Sequence, residues 1–193
     1  MKLAPLAALA FALLLAACGK PATWHATDIT GAMPPLNFRM TRANDGVTVG
    51  SSDYRGKVAI LYFGYTHCPD ICPTTLANLA EVLDKLGPKA GQVRILFVTV
   101  DPDRDTLPLM KGYVNSFAPQ IDGLRGTPDD LAALARRYRV AYSVTPDSPG
   151  HPYEVMHSNA VFFFDRAGHA RLVSTDTSDI DGTLADVKRL LDM

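Results

Sequence analysis

The chain has 193 residues, 47% of them apolar and 20% charged, the balance of a globular protein with one core. Its formal net charge is −1, and it holds no Lys/Arg run that could track a phosphate backbone. Composition therefore points away from nucleic acid as a partner.

The N-terminus differs from the rest. Lys2 precedes an apolar run over residues 3–17, broken only by Pro5. A bilayer span takes about 20 apolar residues, so a short basic start and a shorter run read as an export signal. The run ends in Leu15-Ala16-Ala17-Cys18, which resembles the bacterial lipobox. The resemblance implies cleavage before Cys18 and a diacylglyceryl group on its thiol. The alternative is an ordinary signal with an unmodified cysteine, but an exposed thiol at a mature N-terminus would be a liability. The expected location is the bacterial cell envelope, facing the periplasm, with the membrane held through lipidated Cys18. Gly19 leaves inner and outer membrane both open. Two cysteines then remain, Cys68 and Cys72. In an oxidising compartment such a pair is a disulfide, a metal site or a redox centre.

Residues 18–35 hold Gly, Pro and Thr without sustained periodicity and read as a tether. Residues 36–55, with Asp45-Gly46 as a turn, are expected to form an added hairpin. Val58-Ala59-Ile60-Leu61-Tyr62-Phe63 is an apolar run between Gly56 and Gly64, a buried strand. A helix follows, opened by Pro73, with Leu76, Leu79, Ala80 and Leu83 on one face and Gly87-Pro88 as its stop. Residues 94–100 read as a second buried strand. Asp105 is expected to cap a helix over residues 106–117. Another helix covers 128–138 with Leu131, Leu134 and Ala135 inward, and 141–144 suits a short strand. Residues 159–164 read as a strong strand, turned by Asp165-Arg166-Ala167-Gly168 into residues 170–174. Ile180, Leu184, Val187 and Leu191 mark a closing helix. The order of elements suits a thioredoxin-like, three-layer α/β domain over residues 36–193, with a parallel pair first and antiparallel edges added later.

The informative segment is Gly64-Tyr65-Thr66-His67-Cys68-Pro69-Asp70-Ile71-Cys72-Pro73, between the first buried strand and its helix. Ligands gather at such strand ends in α/β sheets. Residues four apart share a helical face, close enough for a disulfide or for two thiolates on one metal. A staple across so few residues would restrain the unfolded chain little. The helix N-terminus favours thiolate over thiol, so both cysteines are expected to titrate below the ordinary range.

This segment, extended to Tyr62-Phe63 before it and Thr74-Thr75-Leu76 after it, resembles the Sco/SenC family of copper-handling proteins. So do Asp53-Tyr54-Arg55-Gly56-Lys57, Val100-Asp101-Pro102-Asp103-Arg104-Asp105-Thr106, and His157-Ser158 ahead of the Asn159 strand. The likeness runs from about Trp24 to the C-terminus. It implies that Cys68, Cys72 and His157 hold one copper per chain, as Cu(I) or Cu(II). The chemistry agrees, because thiolates select Cu(I) and imidazole suits copper, with zinc as the competing metal. No proline precedes the strand within residues 155–158, so a side chain there can reach a metal. The family often has Asp before this His where this chain has Met156. That change alters what can orient the imidazole, although a packing role suits Met156 better than ligation. Asp101 is expected either to support the site or to contact a partner, unless it is a turn residue before Pro102. His67, His25, His151 and His169 are read as non-ligands, and Asp70 as a loop acid.

The family resemblance implies a metallochaperone that delivers copper to the dinuclear CuA centre of cytochrome c oxidase, supplied by a periplasmic copper donor. The alternative is a thiol–disulfide oxidoreductase that reduces the cysteines of the CuA-bearing subunit. A copper or redox sensor is a further alternative. A peroxiredoxin-like peroxidase lacks its usual signature here.

Overall fold

The computed structural model describes residues 23–193; the expected export signal and Cys18 lie outside them. The strands and helices in chain order are β1 (Thr27–Asp28), β2 (Arg39–Arg42), β3 (Thr48–Gly50), β4 (Val58–Gly64), α1 (Ile71–Leu86), β5 (Val93–Thr99), α2 (Leu107–Asn115), β6 (Ile121–Arg125), α3 (Pro128–Arg137), β7 (Tyr142–Thr145), β8 (Glu154–His157), β9 (Val161–Phe164), β10 (Ala170–Ser174) and α4 (Ile180–Leu191). Eight strands form one sheet in the order β1-β10-β9-β4-β5-β6-β2-β3. The central strands β4, β5 and β6 are parallel, and β9 lies antiparallel against β4.

Strand β4 explains the layering. All seven of its residues are buried, as a central strand covered on both faces requires. Ile60 and Tyr62 face a core shared with α1, α2 and α4, whereas Ala59, Leu61 and Phe63 face a core shared with α3 and the β2–β3 hairpin. The period-two alternation of a strand thus divides one apolar run between two cores. Helix α1 seats Leu76, Leu79 and Leu83 in the first core, each at most 2% exposed, and each such burial contributes about 1.5–3 kcal/mol. A charge at Leu79 would place an unpaired ion in that core and break the face.

Four local expectations change. Helix α1 begins at Ile71 with Asp70 at its N-cap, so Pro73 lies inside the first turn. Asp105 does not cap α2; Thr106 does, its side chain accepting from the Leu109 N–H. Strand β6 was not expected at all. Asp122-Gly123 interrupts its apolar pattern, yet it pairs with β5 and extends the parallel set to three. Finally, the last part of the expected tether lies on the domain. Thr27 and Asp28 pair with β10, and the N–H groups of His25 and Ala26 bind the buried carboxylate of Asp186 on α4. The hairpin over residues 36–55 forms as expected, with Gly46 at φ 76° in its turn, where glycine alone is unstrained.

Candidate metal centre

The site is assembled at the carboxyl end of β4. Its last residue, Gly64, is held by the Val100 N–H, which donates to the Gly64 carbonyl at 2.8 Å. A Cβ at Gly64 would lie 2.6 Å from the Phe97 ring and 2.9 Å from Cys72 Sγ. The glycine therefore lets the chain pass close enough to bring the cysteine loop over the sheet edge.

The loop from Tyr65 to Asp70 is pinned from below by Asp105. This fully buried carboxylate accepts the Thr66 N–H at 3.0 Å and the hydroxyls of Thr66 and Thr99. Charge-assisted bonds of this kind are strong and directional, so Asp105 locks the loop to the end of β5. The expected capping residue is instead the loop's anchor.

Cys68 leaves the loop and Cys72 occupies the first turn of α1. They are free thiols, 9% and 0% exposed respectively. His157, expected only as a residue ahead of the next strand, itself ends strand β8, and its Nε2 lies 3.3 Å from Cys72 Sγ. Its Nδ1 lies 2.9 Å from the Ser158 carbonyl, which assigns the proton to Nδ1 and leaves the Nε2 lone pair facing the sulfurs. Edge-on contacts with Tyr62 and Tyr65, 6.1 and 5.8 Å between centroids, fix the ring plane. The Sγ atoms of Cys68 and Cys72 and a ring nitrogen of His157 all lie within 4.8 Å of one another. Among the described residues this is the only such cluster of His, Cys and acidic ligands. His67 stays outside it, with its ring beside Thr66 and 3.6 Å from Asp105. Met156 also stays outside, 60% exposed on the outer face of β8.

The two thiols are not equivalent, contrary to expectation. Burial pushes both upward. At Cys68 the N–H groups of Asp70 and Cys72 outweigh it and hold the thiol below its ordinary range. At Cys72 burial wins and pushes the thiol up to about 12. Burial also lowers His157, against the opposing pull of the Ser158 carbonyl. In the apo site burial thus favours the neutral forms of Cys72 and His157, whereas the neighbouring N–H groups favour the thiolate of Cys68. That donor set, two soft sulfurs and a nitrogen within 4.8 Å of one another, suits a thiophilic metal such as Cu(I).

Asp101 follows β5 and is 1% exposed. Its oxygens accept from the Tyr153 hydroxyl at 2.7 Å and from Arg104 Nε, so the carboxylate itself presents nothing to a partner. Tyr62, Tyr65, Arg104 and Tyr153 were not singled out from the sequence. The signal for Tyr153 was an aromatic residue inside an otherwise polar, Pro-containing stretch.

The SCO1/SenC family model matches residues 35–192. The chain is 44% identical over 119 residues to the mitochondrial SCO2 homolog of Bos taurus, a match covering 61% of this chain and 45% of that protein. It thus spans about half the length of the curated relatives it matches. Copper-bound ScoI of Bradyrhizobium japonicum is 36% identical, with a TM-score of 0.74 over 82% of this chain and 99% of that one. Apo Sco1 of Thermus thermophilus is 33% identical, with a TM-score of 0.78 over 90% of this chain and 100% of that one. The neighbours carry the thioredoxin-like Sco fold expected from the element order. With the cysteine loop, the distant histidine and nearly the whole described chain all accounted for, this chain belongs to the SCO1/SenC family.

Proposed function

We propose that the chain is a copper metallochaperone that binds one copper through Cys68, Cys72 and His157 and delivers it to the CuA centre of cytochrome c oxidase. The observation that carries this is the convergence of three ligand atoms within 4.8 Å from residues 85 apart in sequence. A dithiol reductant has no need of that imidazole. The Sco family comprises cytochrome c oxidase assembly proteins, and related chains of 36% and 35% identity have been solved with copper bound. Two thiolates and the His157 Nε2 would give Cu(I) three ligands, and Cu(II) would recruit a further one. Transfer would replace these ligands in turn by the Cys and His ligands of the target. We further propose that the domain works at the periplasmic face of a membrane, anchored through lipidated Cys18 and loaded by a periplasmic copper donor.

The split between the thiols supports a second reading, thiol–disulfide oxidoreductase. A low-pKa Cys68 would attack a target disulfide, forming a mixed disulfide. Cys72 would then resolve it, releasing a reduced target dithiol and leaving a Cys68–Cys72 disulfide. The decisive experiment mixes the copper-loaded chain with a reduced, metal-free CuA domain, and separately the reduced, metal-free chain with an oxidised CuA domain. Copper transfer in the first mixture that is lost in His157→Ala supports the chaperone. Disulfide reduction in the second, with no transfer in the first, supports the oxidoreductase.

A further inference from the structure

The hairpin that delivers His157 is lightly held. Strands β7 and β8 pair only with each other, and none of their residues is fully buried. Tyr142 and Val155 pack partly on the second core. Among the described residues, two side-chain hydrogen bonds fasten this hairpin to the rest of the domain. One is His157 to Cys72, at the metal centre itself. The other comes from Tyr153, just before β8, whose hydroxyl donates to Asp101.

The second fastening is built as a unit. Asp101 is buried, and its remaining oxygen accepts from Arg104 Nε. The Arg104 guanidinium lies 3.7 Å from the centroid of the Tyr153 ring, a stacking geometry favourable for a delocalised cation. The same guanidinium lies 5.9 Å from the Tyr65 centroid, and Tyr65 meets His157 edge-on at 87°. A continuous path of contacts therefore runs from the end of β5 to the imidazole, outside the three ligands.

We propose that Asp101, Arg104 and Tyr153 form a latch that positions His157, holding Nε2 at the two sulfurs before a metal arrives. The latch rests on the copper site proposed above. Its three members are positioning residues, since none touches the metal ligands' sulfur or nitrogen donors directly. With the latch intact, binding meets a preassembled third ligand. With it broken, the hairpin must be ordered at the moment of binding, which lowers apparent affinity by the fraction of chains already in place.

The test uses the full chain with Tyr153→Phe, which keeps the ring and removes the hydroxyl, and Arg104→Met. Cu(II) affinity is read by competition titration and the His157 ligand by nitrogen coupling in the electron paramagnetic resonance spectrum. Thermal unfolding of the apo chain is followed alongside. Each variant is expected to weaken Cu(II) binding about tenfold, equivalent to about 1.4 kcal/mol, and to diminish the nitrogen coupling. Cu(I) should still bind one per chain through the thiols. In a His157→Ala background the further loss from Tyr153→Phe should vanish. Wild-type affinity and coupling in Tyr153→Phe would overturn the latch, as would a loss that persists without His157. Should Arg104→Met fail to fold, Tyr153→Phe alone decides. If His157→Ala itself leaves binding and coupling unchanged, the copper site falls first and the latch with it.

Discussion

Gly64→Ala places the smallest side chain where the structure has least room. The new Cβ would stand 2.6 Å from Phe97 Cε2, 3.2 Å from Phe97 Cζ and 2.9 Å from Cys72 Sγ. Phe97 is 0% exposed and lies between Tyr62 and Tyr113, with ring centroids 6.1 and 5.5 Å away, so it has no free direction of retreat. Cys72 is anchored in the first turn of α1. Overpacking of this kind costs about 1–3 kcal/mol. For a domain of this size that lowers the unfolding midpoint by roughly 3–10 °C. Because one of the two displaced side chains is a ligand, the same change is expected to weaken copper binding more than an equally destabilising core substitution on a helix that bears no ligand. Urea unfolding of the apo chain and copper competition, run on Gly64→Ala and on Val187→Ala in α4, measure both quantities. An unchanged stability within about 0.5 kcal/mol, the scatter of surface substitutions, would refute the steric argument. Copper affinity that falls no further than in Val187→Ala would refute the link to Cys72.

Asp105→Ala removes one carboxylate and strands three donors, the Thr66 N–H and the hydroxyls of Thr66 and Thr99. A loss of at least about 3 kcal/mol is expected in urea unfolding, from bonds to a charged group worth about 1.5–3 kcal/mol each. The thiols should alkylate in order, Cys68 first with a midpoint below the ordinary range and Cys72 only toward about pH 12, as mass spectrometry against pH would show. The same asymmetry sets an alkaline stability loss. The unfolded chain releases the Cys72 proton near its ordinary value of 9.0 and the folded chain near 12. The folded state thus binds more protons between these values, and its stability falls as pH rises through them. Cys72→Ser should lack that component in denaturation curves taken at pH 8 to 11. The apo His157 ring should titrate below its ordinary 6.5 and carry its proton on Nδ1, both readable from nitrogen-15 imidazole shifts.

The parts of the fold written in periodicity were legible. The β4 run, the Leu76–Leu79–Leu83 stripe of α1, and Leu131, Leu134 and Ala135 of α3 needed only the two backbone periods. Strand β6 was hidden because Asp122 and Gly123 occupy its middle. The structure accommodates them through β-sheet pairing, through Asn44, which bonds to the Gly123 N–H and the Ile121 carbonyl, and through Arg42, 4.0 Å from Asp122. Asp105 was legible as a helix-start acid but not as a loop anchor, since that role depends on Thr66 and Thr99 arriving from other elements.

The site divides in the same way. The Cys68–Cys72 pair announces a helix N-terminus, but nothing local connects it to a histidine 85 residues away. Family likeness made that connection, and the hairpin β7–β8 realises it. A helix N-terminus bears on both sulfurs alike, and sequence position carries no information on their depth. Burial, which separates Cys68 from Cys72, belongs to the packed fold. Met156 points outward, and Asp101, Arg104 and Tyr153 lie on the path of contacts that runs to His157.

Copper stoichiometry and the Cu(II) absorption spectrum of the reduced chain, for wild type and His157→Ala, test the central claim most directly. One copper per chain, with a thiolate charge-transfer band that weakens or vanishes in the variant, is the predicted result. Negligible uptake, or uptake and spectrum indifferent to His157, would contradict it.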